Sequence, residues 1–287
     1  MGFLSRRAIP AEAPGPQLEL SGPRLDSTLA RLAAGCENQG GIERYVEALK
    51  LKSALFRQAL DEDPGSLEAS TFKQLCAFMS TVRRRIGPWL EEPGFNELRG
   101  ALVELLAVRT DPVTTDARIG SFCSGLGDGS EHRWVRDLAA EVLHNADPER
   151  FPLMTRWVWD LQTNSGVIRE IWHAADVDHI RIDVPDRYDT FLMLRQELSQ
   201  YLAGKGFFRD VTWYVDLLCA QVYADYICEQ GGSYLRTDFA AEEDPLQHTR
   251  RLLGLDGVQA GSGRTRLKTI DGAAFVLLDE APTEQTG

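Results

Sequence analysis

Residues 209–230, RDVTWYVDLLCAQVYADYICEQ, decide the fold. Val211, Trp213, Tyr214, Val215, Leu217, Leu218, Cys219, Val222, Tyr223, Tyr226, Ile227 and Cys228 point in nearly every direction around a helix. A helix that is apolar all round has to be covered all round. Asp210, Asp216, Gln221, Asp225 and Glu229 interrupt the run, so it is no membrane span. Gly231 and Gly232 supply its stop. The segment therefore predicts a central helix with other helices packed around it.

The neighbours on both sides supply those helices. Asp186 or Asp189 caps a helix running to about residue 202 and stopped by Gly204, and a short helix is expected over 244–253. Apolar residues at helical spacing predict further helices over 42–60, from 66 past Arg83–Arg85 to a stop at Pro88, over 95–108 and over 131–144. A short helix near 26–34 precedes them. Residues 152–173 are expected to be helical with a break near Thr163-Asn164-Ser165-Gly166, and 109–130, rich in Gly, Ser and Thr, to be the one long loop.

Near the C-terminus the period changes. Residues 179–184, HIRIDV, alternate polar and apolar as a strand does. Residues 266–270 and 273–278 flank Asp271-Gly272 and read as a β-hairpin of about 266–278, which the 179–184 strand could join. The fold class is thus mainly α, a multi-helix bundle-like domain with a small C-terminal β element. Residues 1–24 carry four prolines and read as a flexible tail, 25–280 as a single helical domain with a subdivision conceivable near 110–130, and 281–287 as a loose tail.

The net charge of −12 disfavours broad attraction to nucleic acid or anionic lipid. No apolar run reaches membrane-spanning length, and the N-terminus lacks the apolar core of a secretory signal. Five cysteines, an odd number with no Cys-x-x-Cys spacing, fit reduced thiols in a cytoplasmic protein. Cys219 and Cys228 would lie on opposite sides of one helix.

Two Glu-x-x-His pairs, Glu141/His144 and Glu170/His173, have the spacing by which helical bundles hold two metal ions, with Glu104 and Glu197 as further carboxylates. Against this, His144 shares a polar side with Arg133 and Asp137, and Glu170 and His173 point away from an apolar face, so exposed surface residues are the plainer account. His173, Asp176, Asp178 and His179 form a second cluster suited to a divalent cation, or simply a solvated connection. The glycines between Gly120 and Gly129 lead into a helix, where backbone amides can bind phosphate, but no strand precedes them. Arg250, Arg251, Arg264, Arg266 and Lys268 could form a basic patch over 248–268 that contacts nucleic-acid phosphates.

None of these constellations outweighs its plain alternative. The expectation is an accessory protein acting through a protein-binding surface, with a protein partner, no membrane and no cofactor. A metal-dependent enzyme using the Glu-x-x-His pairs is the first alternative, and a nucleic-acid-associated protein using the basic patch the second.

Overall fold

The computed structural model describes residues 18–37, 40–61, 63–107, 111–127, 129–174, 179–231, 246–256, 266–268 and 274–276. Among them the chain is mainly α: α1 (Gly22–Glu37), α2 (Ile42–Leu60), α3 (Ala69–Ala77), α4 (Gly94–Ala107), α5 (Thr115–Leu126), α6 (Trp134–Ala146), α7 (Val167–Glu170), α8 (Tyr188–Gly204), α9 (Val211–Gly231) and α10 (Gln247–Leu252). Two three-residue strands, β1 (Arg266–Lys268) and β2 (Ala274–Val276), pair antiparallel with Leu267 opposite Phe275. The Asp271-Gly272 turn expected between them lies outside the described residues.

Helix α9 is wrapped by α1, α2, α7, α8 and α10. Its apolar residues from Trp213 to Val222 are buried, as an all-round apolar helix requires. A second axis, α6, packs against α2, α4 and α5. All ten residues from Asp137 to Ala146 are buried, although three of them are ionisable. Helix α2 touches both axes, and one continuous apolar cluster runs through all three.

Several expectations are corrected. Residues 109–130 are not one loop, because α5 occupies Thr115–Leu126 and buries Thr115, Ile119, Phe122 and Leu126 along one face. Each interior glycine costs a helix about 1 kcal/mol, while each large apolar side chain buried returns about 1.5–3 kcal/mol, so the period outweighs the composition. Gly120 and Gly125 sit inside this helix and form no phosphate-binding loop.

Residues 152–173 are helical only over Val167–Glu170. The rest is a chain of turns. The Asp160 carboxylate accepts from the Gln162 and Thr163 amides at 3.0 and 3.3 Å, which competes with helix. Gly166, at φ 120°, lies so close to the Val158 carbonyl that a Cβ would sit 2.7 Å from it. Residues 179–184 join no strand. Their backbone is tied by side chains instead: Asn164 Nδ2 donates to the Ile182 carbonyl at 2.9 Å, and buried Trp159 Nε1 donates to the Val184 carbonyl at 2.8 Å. The tail expected over 1–24 gives way at Leu18, which is buried, and at Ser21, whose amide donates to Ile171.

Past α10 the chain turns at Gly254, φ +73°, and inserts Leu253 and Leu255 into the core. A Cβ there would lie 1.8 Å from the Phe78 carbonyl oxygen, whereas one on Gly120 would meet nothing within 4 Å. Chemical denaturation should therefore separate two substitutions of the same type. Gly254→Ala combines left-handed strain with a backbone clash and should lower stability by at least about 2 kcal/mol. Gly120→Ala should raise it by about 0.5–1 kcal/mol.

Candidate functional site

Charged residues inside the core come first, because they are where chemistry concentrates. On α6, Asp137, Glu141 and His144 recur at helical spacing, and each meets a partner from another element. Asp137 accepts from the Arg156 amide at 2.9 Å and from its guanidinium Nη2 at 2.7 Å. Glu141 Oε2 accepts from Lys52 Nζ at 2.9 Å, with both side chains at most 3% exposed. Lys52 also donates to the Leu253 carbonyl at 3.1 Å, and Asn145 Nδ2 donates to Glu141 Oε2 at 3.2 Å.

His144 is bracketed by acceptors, the Phe151 carbonyl 2.8 Å from Nδ1 and Asp216 Oδ2 2.9 Å from Nε2. A ring whose two nitrogens both face acceptors is suited to carry both protons, as imidazolium. Burial pulls its pKa down, but the Asp216 carboxylate, with the Phe151 carbonyl and Glu141, outweighs burial, and the net displacement is upward. Farther along α9, Asp225 accepts from Thr28, Arg31 and Gln221, and Gln221 in turn accepts from Thr249 at 2.8 Å.

These pairings correct the wet side expected for His144 and Asp137, which is buried. They also engage Glu141 and His144 with protein groups, through Lys52 and Asp216. Glu104 and Glu197 are exposed on α4 and α8, and His173 is exposed beyond α7. Among the described residues no three His, Cys, Asp or Glu side chains gather in a way that could hold a metal ion. Asp176 and Asp178, from the second cluster, lie outside those residues, as does Arg264. Arg250 and Arg251 occupy the last turn of α10, and Arg266 and Lys268 belong to β1.

Two of the residues singled out for metal do come together, in a different setting. Glu170 and His179 line an open polar cavity of about 790 Å³, formed by the turn at 162–165, α7, the extended residues 179–181 and the C-terminal end of α9. Arg169, Arg181, Tyr226 and Glu229 complete its charged and aromatic lining. Glu229 receives Arg24 through both oxygens at 3.2 and 3.1 Å. A second groove of about 520 Å³ runs between α4 and α5 over Gly100, Ala101, Phe122 and Leu126, with Glu97 and Glu104 beside it.

Another accessible feature is the α8–α9 connection, where Phe208 stands 77% exposed between braced neighbours. Lys205 Nζ lies 2.7 Å from Asp26 Oδ1, which also accepts from the Tyr201 hydroxyl at 2.7 Å. Lys50 Nζ pairs with Asp210 Oδ2 at 2.8 Å, and the Phe207 ring packs 4.7 Å from that of Tyr214.

The chain matches no protein-family model, no curated protein and no solved structure. Its chemistry is therefore read from these side chains alone.

Sequence reasoning passed over Arg181, Tyr226, Asn164 and Phe208. Only Phe208 had a visible signal, a Phe-Phe pair beside Gly206 in a connection where one ring suffices for packing.

Two stability measurements test the buried network. Lys52→Ala strands the Glu141 carboxylate and should cost about 3–5 kcal/mol in urea unfolding, whereas the double replacement Lys52→Met with Glu141→Leu should cost much less than the two single changes together. His144 has a folded-state pKa above the ordinary 6.5. Its contribution is fully present below the unfolded pKa and is lost as pH rises through the raised folded value. Unfolding midpoints should fall as pH rises above about 6.5, and Asp216→Asn should flatten that slope.

Proposed function

We propose that this protein is an accessory factor that works by docking a protein partner, with the Phe208 loop as its principal contact. The observation that supports it is an aromatic side chain held out in solvent by a braced loop. Burying a phenylalanine is favourable by about 1.5–3 kcal/mol, and the fold leaves that gain unused at Phe208. Ion pairs from Lys205 and Lys50, the Phe207–Tyr214 contact and the left-handed backbone at Asp210 (φ 56°) fix the loop on both sides of it.

Rigid aromatic anchors of this kind dominate binding energy at interfaces, because little conformational freedom is lost when they enter a pocket. Arg209, exposed next to Phe208, adds a positive charge at the contact, so the complementary surface is an apolar pocket with an acidic edge. None of the five cysteines is joined in a disulfide, which suits work in the reducing cytoplasm. The factor carries out no turnover of its own.

Affinity purification from the source cells, with wild type and Phe208→Ser side by side and mass spectrometry as readout, tests this. One protein should copurify near stoichiometry with wild type and be lost with Phe208→Ser, whose unfolding midpoint should stay at the wild-type value. Equal recovery with both would remove Phe208 from the interface. Wild type that emerges with no partner would overturn the accessory role itself.

A further inference from the structure

The open polar cavity at the far end of α9 is built differently from the Phe208 loop and lies well away from it. Tyr226 is sixteen residues past Asp210, which at 1.5 Å per residue is about 24 Å along the helix. Three features give the cavity a chemical character.

The first is a fixed cationic wall. Asn164 holds a left-handed backbone, φ 51°, and its side chain clamps the turn at 162–165 to the extended segment. Its Nδ2 donates to the Ile182 carbonyl at 2.9 Å, and its Oδ1 accepts from Arg169 Nη1 at 2.5 Å. Arg169 Nη1 also donates to the Ile180 carbonyl at 3.2 Å, so its guanidinium is held in place beside the cavity. Arg181, two residues past His179 in the same lining, is exposed and makes no hydrogen bond or ion pair with any described residue.

The second is the balance of charge. Of the two carboxylates of the lining, Glu170 and Glu229, the latter is engaged by Arg24 through the two-pronged contact. Arg169 and Arg181 supply the positive side of the lining. A small anion entering there meets donors and positive charge together.

The third is a row of mutually tilted aromatic rings that ends at the cavity. Trp157 is buried in the core, its ring 6.1 Å from that of Tyr223 and inclined by 34°. Tyr223 in turn lies 5.7 Å from Tyr226 at 32°. Tyr226, the last ring, lines the cavity. A planar heterocycle placed on it would extend this row by one ring. Gln162, Thr163 and Ser165 add hydroxyl and amide groups to the same wall.

We propose that this cavity binds a nucleotide-class ligand, its planar base laid against Tyr226 and its phosphate held by Arg181 and Arg169. A volume of about 790 Å³ lies within the range of small-molecule sites. Binding here does not depend on the Phe208 loop, and either site can fail without the other.

Calorimetric titration of the full chain with AMP, GMP, CMP, UMP and inorganic phosphate, at low and high salt, tests it. At least one of the four nucleotides should bind saturably at one site per chain, more tightly than inorganic phosphate and more weakly as salt rises. Arg181→Ala and Tyr226→Leu should each weaken that binding by about tenfold or more, and Tyr226→Phe, which keeps the ring, should bind as wild type does. Melting curves of the three variants establish that they are folded at the titration temperature. No saturable binding by any nucleotide up to about 10 mM would overturn the proposal. So would nucleotide binding that Arg181→Ala and Tyr226→Leu leave unchanged, or inorganic phosphate binding as tightly as the nucleotides.

Discussion

Lys52 and Glu141 meet inside the protein at 2.9 Å with almost no solvent beside either, where α2 packs against α6. Removing two opposite charges from water is costly, and their attraction offsets the cost only when the geometry is good and the remaining hydrogen-bonding capacity is used. Here it is used. The Leu253 carbonyl accepts from Lys52, and Asn145 donates to Glu141. One turn along α6, His144 and Asp216 repeat the arrangement toward α9. An apolar contact tolerates sliding, whereas a charge pair left unmatched in the interior does not, so these two pairs fix the registers of α2, α6 and α9 against one another.

Helix α9, held in this way, sets the position of both proposed sites. At its N-terminal end the loop with Phe208 is anchored to α2 through Lys50 and to α1 through Asp26. At its C-terminal end Tyr226 and Glu229 face the turn at 162–165, and Glu229 is tied to α1 through Arg24. Among the described residues only two other than glycine have positive φ, Asn164 and Asp210. One stands in the cavity wall and the other at the root of the Phe208 loop. Backbone in that region is held only where the surroundings over-determine it, and such residues concentrate where a protein binds something.

Legibility from sequence varied with how local the cause was. Helices α2, α4, α8 and α9 follow from the recurrence of large apolar side chains, which is a property of the segment itself. Helix α5 was hidden because glycines on its open side lowered its apparent propensity, while the residues that fix it, Ile119, Phe122 and Leu126, are buried only because other helices are present. Residues 151–166 carry helix-like apolar spacing, but the Asp160 side chain and the close approach at Gly166 turn the chain instead. Glu170 and His179, singled out by residue type as metal ligands, line the cavity instead, while Arg181 and Tyr226, which give the cavity its character, come from segments about 45 residues apart in the chain.

The sequence by itself determined the mainly α class, the burial of α9 from Trp213 to Val222 and, among the described residues, the absence of a helix long and apolar enough to cross a membrane. Those properties depend on composition and period along a single stretch of chain. Tertiary structure alone decided that Asp137, Glu141 and His144 are core residues and not a wet stripe, because a charge can be buried only opposite its partner. Those partners, Arg156, Lys52 and Asp216, lie 19, 89 and 72 residues away in the chain.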